Sequence, residues 1–182
     1  VISTYFNKIS NIKFPKRNIF NVNLIEKLRY GENPHQDSAI YSKKDNLNIN
    51  QIHGKQLSYN NYNDIFSALS ISKTFPKNKG TVIIKHANPC GVSILNKTIE
   101  SYKEDLACDP ISAFGGIVSC NYKINKELAL ELNNIFLEVV IANGFEKNAL
   151  QRLKKRRNLR LIDASQFVLN EKWKVNTNNE SI

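Results

Sequence analysis

The segment KHANPCG, from Lys85 to Gly91, carries the residue types best suited to acid–base chemistry. It follows directly on the apolar run Val82 to Ile84, which predicts a buried strand. Lys85 and His86 should therefore lie at the carboxyl end of that strand, the edge at which open α/β sheets bind ligands. An imidazole can remove a proton near neutral pH. An adjacent ammonium can stabilise an oxyanion or hold a phosphate.

Later in the same segment, Pro89 and Gly91 predict a turn whose exposed backbone amides could bind an anion. A purely structural interpretation competes with this one. Consecutive Lys and His side chains point to opposite sides if the strand continues through them. Residue types and spacing alone leave both interpretations open.

A second segment, LRYGENPHQ at 28–36, combines a cation with an aromatic ring. Arg29 can fork onto a phosphate, and Tyr30 can stack on a heterocycle or hydrogen-bond a ribose. Gly31 and Pro34 predict an irregular backbone here. An ordinary turn with a surface arginine explains the same residues.

Two further segments are less specific. In DPISAFGGI at 109–117, the pair Gly115-Gly116 before a predicted strand permits a close backbone approach to a ligand, or to another part of the fold. The segment GKQLSYNN at 54–61 predicts a polar loop without chemistry of its own.

The elements that would position these segments alternate along the chain. Apolar periodicity predicts strands and helices in turn, which indicates a three-layer αβα sandwich of the α/β class with a largely parallel sheet. The polar residues 176–179 predict an unstructured tail. The predicted strands are 39–41, 80–84, 116–119, 138–142 and 159–162, and the predicted helices are 63–75 (capped by Asn63), 98–108, 126–136 (capped by Asn125) and 146–155.

Taken together and in this order, LRYGENPHQ, GKQLSYNN, KHANPCG and DPISAFGGI resemble the bacterial AICAR transformylase–IMP cyclohydrolase family, as does EVVIANGF at 138–145. The resemblance runs from about Phe14 to Gln166. It implies a cytidine-deaminase-like fold, and transfer of a formyl group from the co-substrate 10-formyltetrahydrofolate to the 5-amino group of AICAR, giving FAICAR. It also implies a homodimer, and IMP cyclohydrolase activity in the full-length protein.

The resemblance also implies roles for single residues. It makes His86 the proton acceptor, and Lys85 the residue that supports the transition state. The residues that it implies at the nucleotide are Arg29, Tyr30, His86, Gly115 and Glu138.

The resemblance covers only part of such an enzyme. Residues 1–20 resemble the last helix of the cyclohydrolase and a linker, and 21–182 resemble the first half of the transformylase region. The family's second half, which supplies much of the folate pocket, has no counterpart here. Asn143 stands where many relatives have Pro, and the chain has no Met, which suggests a cut or processed start. The deaminase motifs HxE and PCxxC are absent, so zinc deamination is not expected.

Composition restricts the remaining alternatives. The net charge of +10 could serve nucleic acid, but the dense run Lys154–Arg157 falls at a predicted helix end and has no interleaved aromatic residues. No apolar run could span a membrane, and the first residues lack a signal pattern. Cys90, Cys108 and Cys120 have no paired spacing, so we expect no metal and reduced thiols in the cytoplasm. A catalytically silent domain of the same family remains an alternative to the enzyme.

Overall fold

The computed structural model describes residues 2–16 and 21–169. The chain divides into two units, Val1–Leu47 and Asn48–Ile182. The first unit contains helix α1 (Ile2–Ile9) and an antiparallel pair of strands, β1 (Asn23–Lys27) and β2 (Ala39–Ser42). The domain boundary expected at residue 20 stays a prediction, and it falls outside the described residues, as does the tail predicted at 176–179.

The second unit alternates strands and helices, as the periodicity predicts. No helix among the described residues is long and apolar enough to cross a membrane. The elements of the second unit are β3 (Asn50–His53), α2 (Tyr59–Ser72), β4 (Thr81–Lys85), β5 (Asn88–Ser93), α3 (Thr98–Cys108), β6 (Gly116–Cys120), α4 (Lys126–Leu132), β7 (Leu137–Ala142), α5 (Lys147–Leu153) and β8 (Arg160–Asp163).

The sheet of this unit is mixed, so the prediction of a largely parallel sheet was wrong. Its order is β3-β8-β7-β6-β4-β5. The pairs β6–β7 and β7–β8 are parallel, whereas β3–β8, β4–β6 and β4–β5 are antiparallel. A tight turn joins β4 to β5, and such a turn can link only antiparallel strands. The connection through α3 then places β6 on the other side of β4.

Helices cover both faces of this sheet. Successive strand residues point to opposite sides, so neighbouring residues of one strand pack against different helices. In β4, Ile84 packs in one cluster with Leu69 of α2. The adjacent Ile83 packs in the other cluster with Tyr102 of α3 and with apolar residues of α4 and α5. The predicted α/β class with helices on both faces is therefore confirmed. The cytidine-deaminase-like type stays a prediction.

Strand β5 occupies the place where Pro89 and Gly91 predicted a turn. The turn lies earlier, at His86 and Ala87, because Lys85 pairs with Asn88. β5 is an edge strand, where the missing N–H of a proline is tolerated. The proposed anion-binding turn at 89–91 is thus replaced by a paired strand.

Three helices have bounds that differ from the prediction: α2, α4 and α5, which spans Lys147–Leu153 instead of 146–155. The cap predicted at Asn63 was also wrong, because Asn63 lies inside α2. α2 begins at Tyr59 because Ser58 and Asn61 form a reciprocal cap, in which each side chain accepts the other's backbone N–H at 3.2 Å. α4 begins after Asn125 as predicted but ends at Leu132, whose carbonyl accepts a hydrogen bond from the Arg156 guanidinium at 3.1 Å. This contact also gives part of the basic run a structural role.

A carboxyl group is buried in α3 beneath β5. Asp105 is 1% exposed, and neither of its carboxylate oxygens has a hydrogen-bond partner among the described residues. A side chain at Gly91 would collide with Asp105, so β5 can pack this closely only with glycine there. Burial raises the pKa of Asp105 to about 7, and the nearby amide of Ile83 offsets part of this effect.

Candidate active site

Lys85 and His86 lie at the tight turn between β4 and β5. His86 and Ala87 form this turn with φ values of +51° and +60°. Positive φ at both central positions is the geometry of a type I′ hairpin turn, but Asn and Gly are the residues that usually supply it. In other residues a left-handed backbone costs roughly 1–2 kcal/mol per residue. The turn must therefore be held by its surroundings.

A carboxylate on α2 supplies part of that support. The Ala87 N–H donates to Asp64 Oδ1 at 2.7 Å. On the other side of the turn, Asn88 Nδ2 donates to the His86 carbonyl at 2.8 Å. Burial raises the pKa of Asp64, whereas the Ala87 amide and the neighbouring His86 act in the opposite direction. Both hydrogen bonds stabilise the conformation that His86 adopts.

The Lys85 ammonium points toward the loop that precedes β6. Its Nζ donates to the Phe114 carbonyl at 2.8 Å, and two of its three N–H groups remain for other acceptors. The next residue, Gly115, has a φ of +76° and donates its N–H to the Phe136 carbonyl at 2.8 Å. Lys85 and Gly115 are thereby brought to the same edge of the sheet.

Two exposed aromatic rings flank Gly115. Phe114 and Phe136 are 58% and 48% exposed, and their ring centroids are 5.4 Å apart. A side chain at Gly115 would lie 3.7 Å from the Phe136 ring, so the glycine leaves open space between the backbone and this pair. The pair, with its ring planes inclined at 43°, offers an exposed apolar surface beside the Lys85 ammonium.

Glu138 lies one strand farther along the same edge. It is the second residue of β7, and its Oε2 accepts a hydrogen bond from Asn61 Nδ2 of α2 at 3.0 Å. Arg160 Nη1, from the start of β8, is 3.7 Å from the same oxygen. The carboxylate is therefore held between an amide and a guanidinium.

The strand ends that meet at this edge differ from the expectation. Lys85 and His86 do lie at the carboxyl end of their own strand, as predicted. However, β4 runs antiparallel to β6, so its carboxyl end meets the amino ends of the parallel strands β6 and β7. Gly115 precedes β6 and Glu138 lies near the start of β7, which explains why four predicted site residues share one edge.

Arg29 and Tyr30 belong to the first unit of the chain. Arg29 is exposed, its Nη2 donates to the Tyr30 hydroxyl at 3.2 Å, and its guanidinium carbon lies 4.9 Å from the Tyr30 ring centroid. The following loop is irregular, as Gly31 and Pro34 predict. Cation and ring thus form one pre-arranged pair with the exposed guanidinium outermost.

Comparison with known proteins identifies the family of the chain. The family described as "AICARFT/IMPCHase bienzyme" matches residues 1–181 of the chain. The chain belongs to this family. The match extends through both units and includes every residue of the candidate site.

Curated relatives of the chain carry the name bifunctional purine biosynthesis protein PurH. The Leptospira biflexa protein is 42% identical over 167 residues, which cover 91% of this chain and 32% of the relative. The Thermoanaerobacter protein is 41% identical over 166 residues (89% and 32%), and the Prochlorococcus marinus protein is 43% identical over 180 residues (92% and 34%). The chain spans about a third of the length of these relatives.

Several residues of this edge were not found from the sequence. Asp64 contacts the turn, and Asn61 and Arg160 contact Glu138. No local pattern marks Asp64 or Arg160. Asn61 gave a signal that could have been used, because Ser58 followed by Asn61 is compatible with a helix cap. In residues 2–16 and 21–169 there is no group of three or more His, Cys, Asp or Glu side chains that could hold a metal ion.

Proposed function

We propose that this chain supplies the AICAR-binding side of a formyltransferase centre in a bifunctional enzyme of purine biosynthesis. The complete enzyme would transfer the formyl group of 10-formyltetrahydrofolate to AICAR, giving FAICAR, and would also carry IMP cyclohydrolase activity. The observation that supports this most is the joint position of Lys85, His86, Gly115 and Glu138 at one sheet edge. Membership of the family supports assigning formyl-transfer chemistry to that arrangement.

In this proposal His86 is the general base. The 5-amino nitrogen of AICAR attacks the formyl carbon, and His86 accepts a proton from that nitrogen as the new carbon–nitrogen bond forms. The bond between the formyl carbon and N10 of the folate then breaks, and N10 takes up a proton. The turn exposes the imidazole at the sheet edge, where a substrate amine can approach it.

Lys85 stabilises the charge that develops during this attack. As the tetrahedral intermediate forms, the formyl oxygen becomes negative, and an ammonium beside it is more valuable than in the ground state. The Phe114 carbonyl orients the ammonium while leaving two N–H groups for the substrate. The exposed rings of Phe114 and Phe136 provide a surface on which a heterocycle can pack.

The remaining site residues hold the nucleotide. The exposed Arg29 guanidinium can bind the phosphate through two parallel hydrogen bonds, with Tyr30 beside it. Glu138 can accept hydrogen bonds from hydroxyl or amino groups, and Gly115 lets a ligand approach the backbone.

The proposal includes the finer features that the family resemblance implies. Residues 1–20 would be the end of a cyclohydrolase domain and a linker, and residues 21–182 the first half of the transformylase region with a cytidine-deaminase-like fold. The enzyme would act as a homodimer in the cytoplasm and would need no metal. The mixed sheet with helices on both faces is compatible with such a fold.

Binding of AICAR by the chain itself tests the proposal. We expect calorimetry to detect AICAR binding, because the nucleotide-side residues are present. Arg29→Ala should weaken AICAR binding about tenfold or more, since a charge-assisted hydrogen bond contributes roughly 1.5–3 kcal/mol. The same variant should leave binding of the corresponding nucleoside, which lacks the phosphate, nearly unchanged.

Formyl transfer provides the second measurement. We expect little or no transfer by this chain alone, because rate enhancement depends on holding amine and formyl donor in one geometry. Activity should appear when the chain is completed with the portions found in its longer relatives. Absence of AICAR binding would contradict the proposed site, and robust transfer by the chain alone would contradict the need for a second half.

A further inference from the structure

The left-handed turn at His86 and Ala87 depends on a group outside the residues proposed to act on the substrate. Neither residue is glycine, yet both have positive φ. Asp64 Oδ1 accepts the Ala87 N–H at 2.7 Å, which is short for a nitrogen donor and typical of a bond to an ionised acceptor. The His86 amide faces the same carboxylate. A single carboxylate thus meets both amides of the turn.

The position of Asp64 is fixed by its helix. α2 starts at the reciprocal cap between Ser58 and Asn61, and Asp64 follows Asn61 by one helical turn on the same side of α2. Asn61 donates to Glu138, whereas Asp64 accepts from Ala87. The first two turns of α2 therefore connect the hairpin turn to the carboxylate of β7.

We propose that Asp64 is a positioning residue, whose carboxylate holds the His86–Ala87 turn in its left-handed conformation and thereby places the Lys85 and His86 side chains. The inference rests on the proposed function for its effect on turnover, but not for its effect on the turn. Without the carboxylate, the two amides lose their acceptor and the turn can relax toward negative φ. Because Lys85 and His86 flank or form the turn, their side chains would then move.

The first test is structural and uses the chain itself. In NMR spectra, the Ala87 amide proton should move upfield by about 1 ppm or more in Asp64→Ala, as expected for loss of a short hydrogen bond. Asp64→Asn keeps an acceptor oxygen and should retain most of the shift. Glu127→Gln, which changes an exposed carboxylate of α4, is the matched control. An unchanged Ala87 amide in folded Asp64→Ala would overturn the proposal.

The second test separates positioning from general stability. In the completed protein, Asp64→Ala should lower kcat at least tenfold while changing the KM for AICAR less than threefold. Adding Ala87→Gly should recover at least threefold of that loss, because glycine adopts positive φ without a steric penalty. A merely structural carboxylate would give no such recovery. Full kcat in Asp64→Ala, or no recovery in a folded double variant, would overturn the proposal.

The two tests also distinguish this inference from the proposed function. If the completed protein transfers no formyl group, the proposed function fails, but the Ala87 amide still reports whether Asp64 holds the turn. If Asp64→Ala does not fold, Asp64→Ser, whose hydroxyl lies one bond short of the Asp64 carboxylate oxygen, replaces it in both measurements with the same expected losses of amide shift and kcat. In that case, a kcat that falls while the Ala87 amide shift is retained would overturn the positioning role.

Discussion

Replacing His86 by Ala is expected to lower the turnover of the completed enzyme by roughly a hundredfold or more, the usual contribution of a general base. In the proposed mechanism the imidazole takes the proton from the attacking amine, and an alanine at the same turn position leaves no acceptor. Lys85→Ala should lower turnover similarly, because it removes the charge that we propose stabilises the developing oxyanion. AICAR affinity should fall less than turnover in both variants.

Steady-state formyl transfer and equilibrium AICAR binding, measured on the same preparations, check this expectation. His53→Gln is the matched control, because His53 contacts the Arg156 carbonyl and belongs to no proposed site. Added imidazole should restore part of the activity of His86→Ala if only the base is missing. Wild-type turnover in His86→Ala would remove the catalytic assignment.

The sequence predicted the elements that local interactions determine, but not those that depend on contacts between distant segments. Apolar periodicity identified α3 with its correct bounds, because Ile99, Tyr102 and Leu106 recur at helical spacing and all three pack in the core. It did not identify β5, since Pro89 and Gly91 are usual turn residues. Gly91 is required because β5 packs closely against Asp105 of α3. This contact joins two elements, so no local sequence pattern indicates it.

The candidate site shows the same limit. Lys85 and His86 could be found because they end an apolar run, which is a local signal. Asp64 could not be found in this way, because it contributes through a hydrogen bond to Ala87. That bond exists only once the hairpin has formed and α2 has packed beside it. The mixed sheet was missed for a related reason. The turn at His86 and Ala87 reverses the chain before α3, so β6 runs antiparallel to β4, and the apolar periodicity carries no signal for that reversal.

Replacing the buried Asp105 by Asn should stabilise the chain at pH 8 far more than at pH 4. The pKa of Asp105 is about 7 in the folded chain, against an ordinary value of 3.8. Well below pH 3.8 the carboxyl is neutral in both states and its titration removes no stability. As the pH rises from 4 to 7, the unfolded chain ionises freely while the folded chain keeps the proton, so the free energy of unfolding falls.

The size of this effect follows from the pKa difference. A shift of about three units corresponds to roughly 4 kcal/mol, most of it lost between pH 4 and pH 7. Asn has nearly the shape of the neutral carboxyl and does not titrate, so Asp105→Asn should lack this loss and gain on the wild type by up to that amount at pH 8. Urea unfolding at pH 4, 6 and 8 measures the difference directly.

A neighbouring residue provides the control for this measurement. Glu104 precedes Asp105 on α3 but is exposed, so Glu104→Gln should unfold with the pH dependence of the wild type. Each variant replaces one carboxyl group by an amide, which leaves burial as the difference between them. If Asp105→Asn and the wild type lost stability in parallel as the pH rose, the carboxyl would have to be solvated or paired in the folded chain. Its burial beneath Gly91, with no hydrogen-bond partner among the described residues, predicts the opposite.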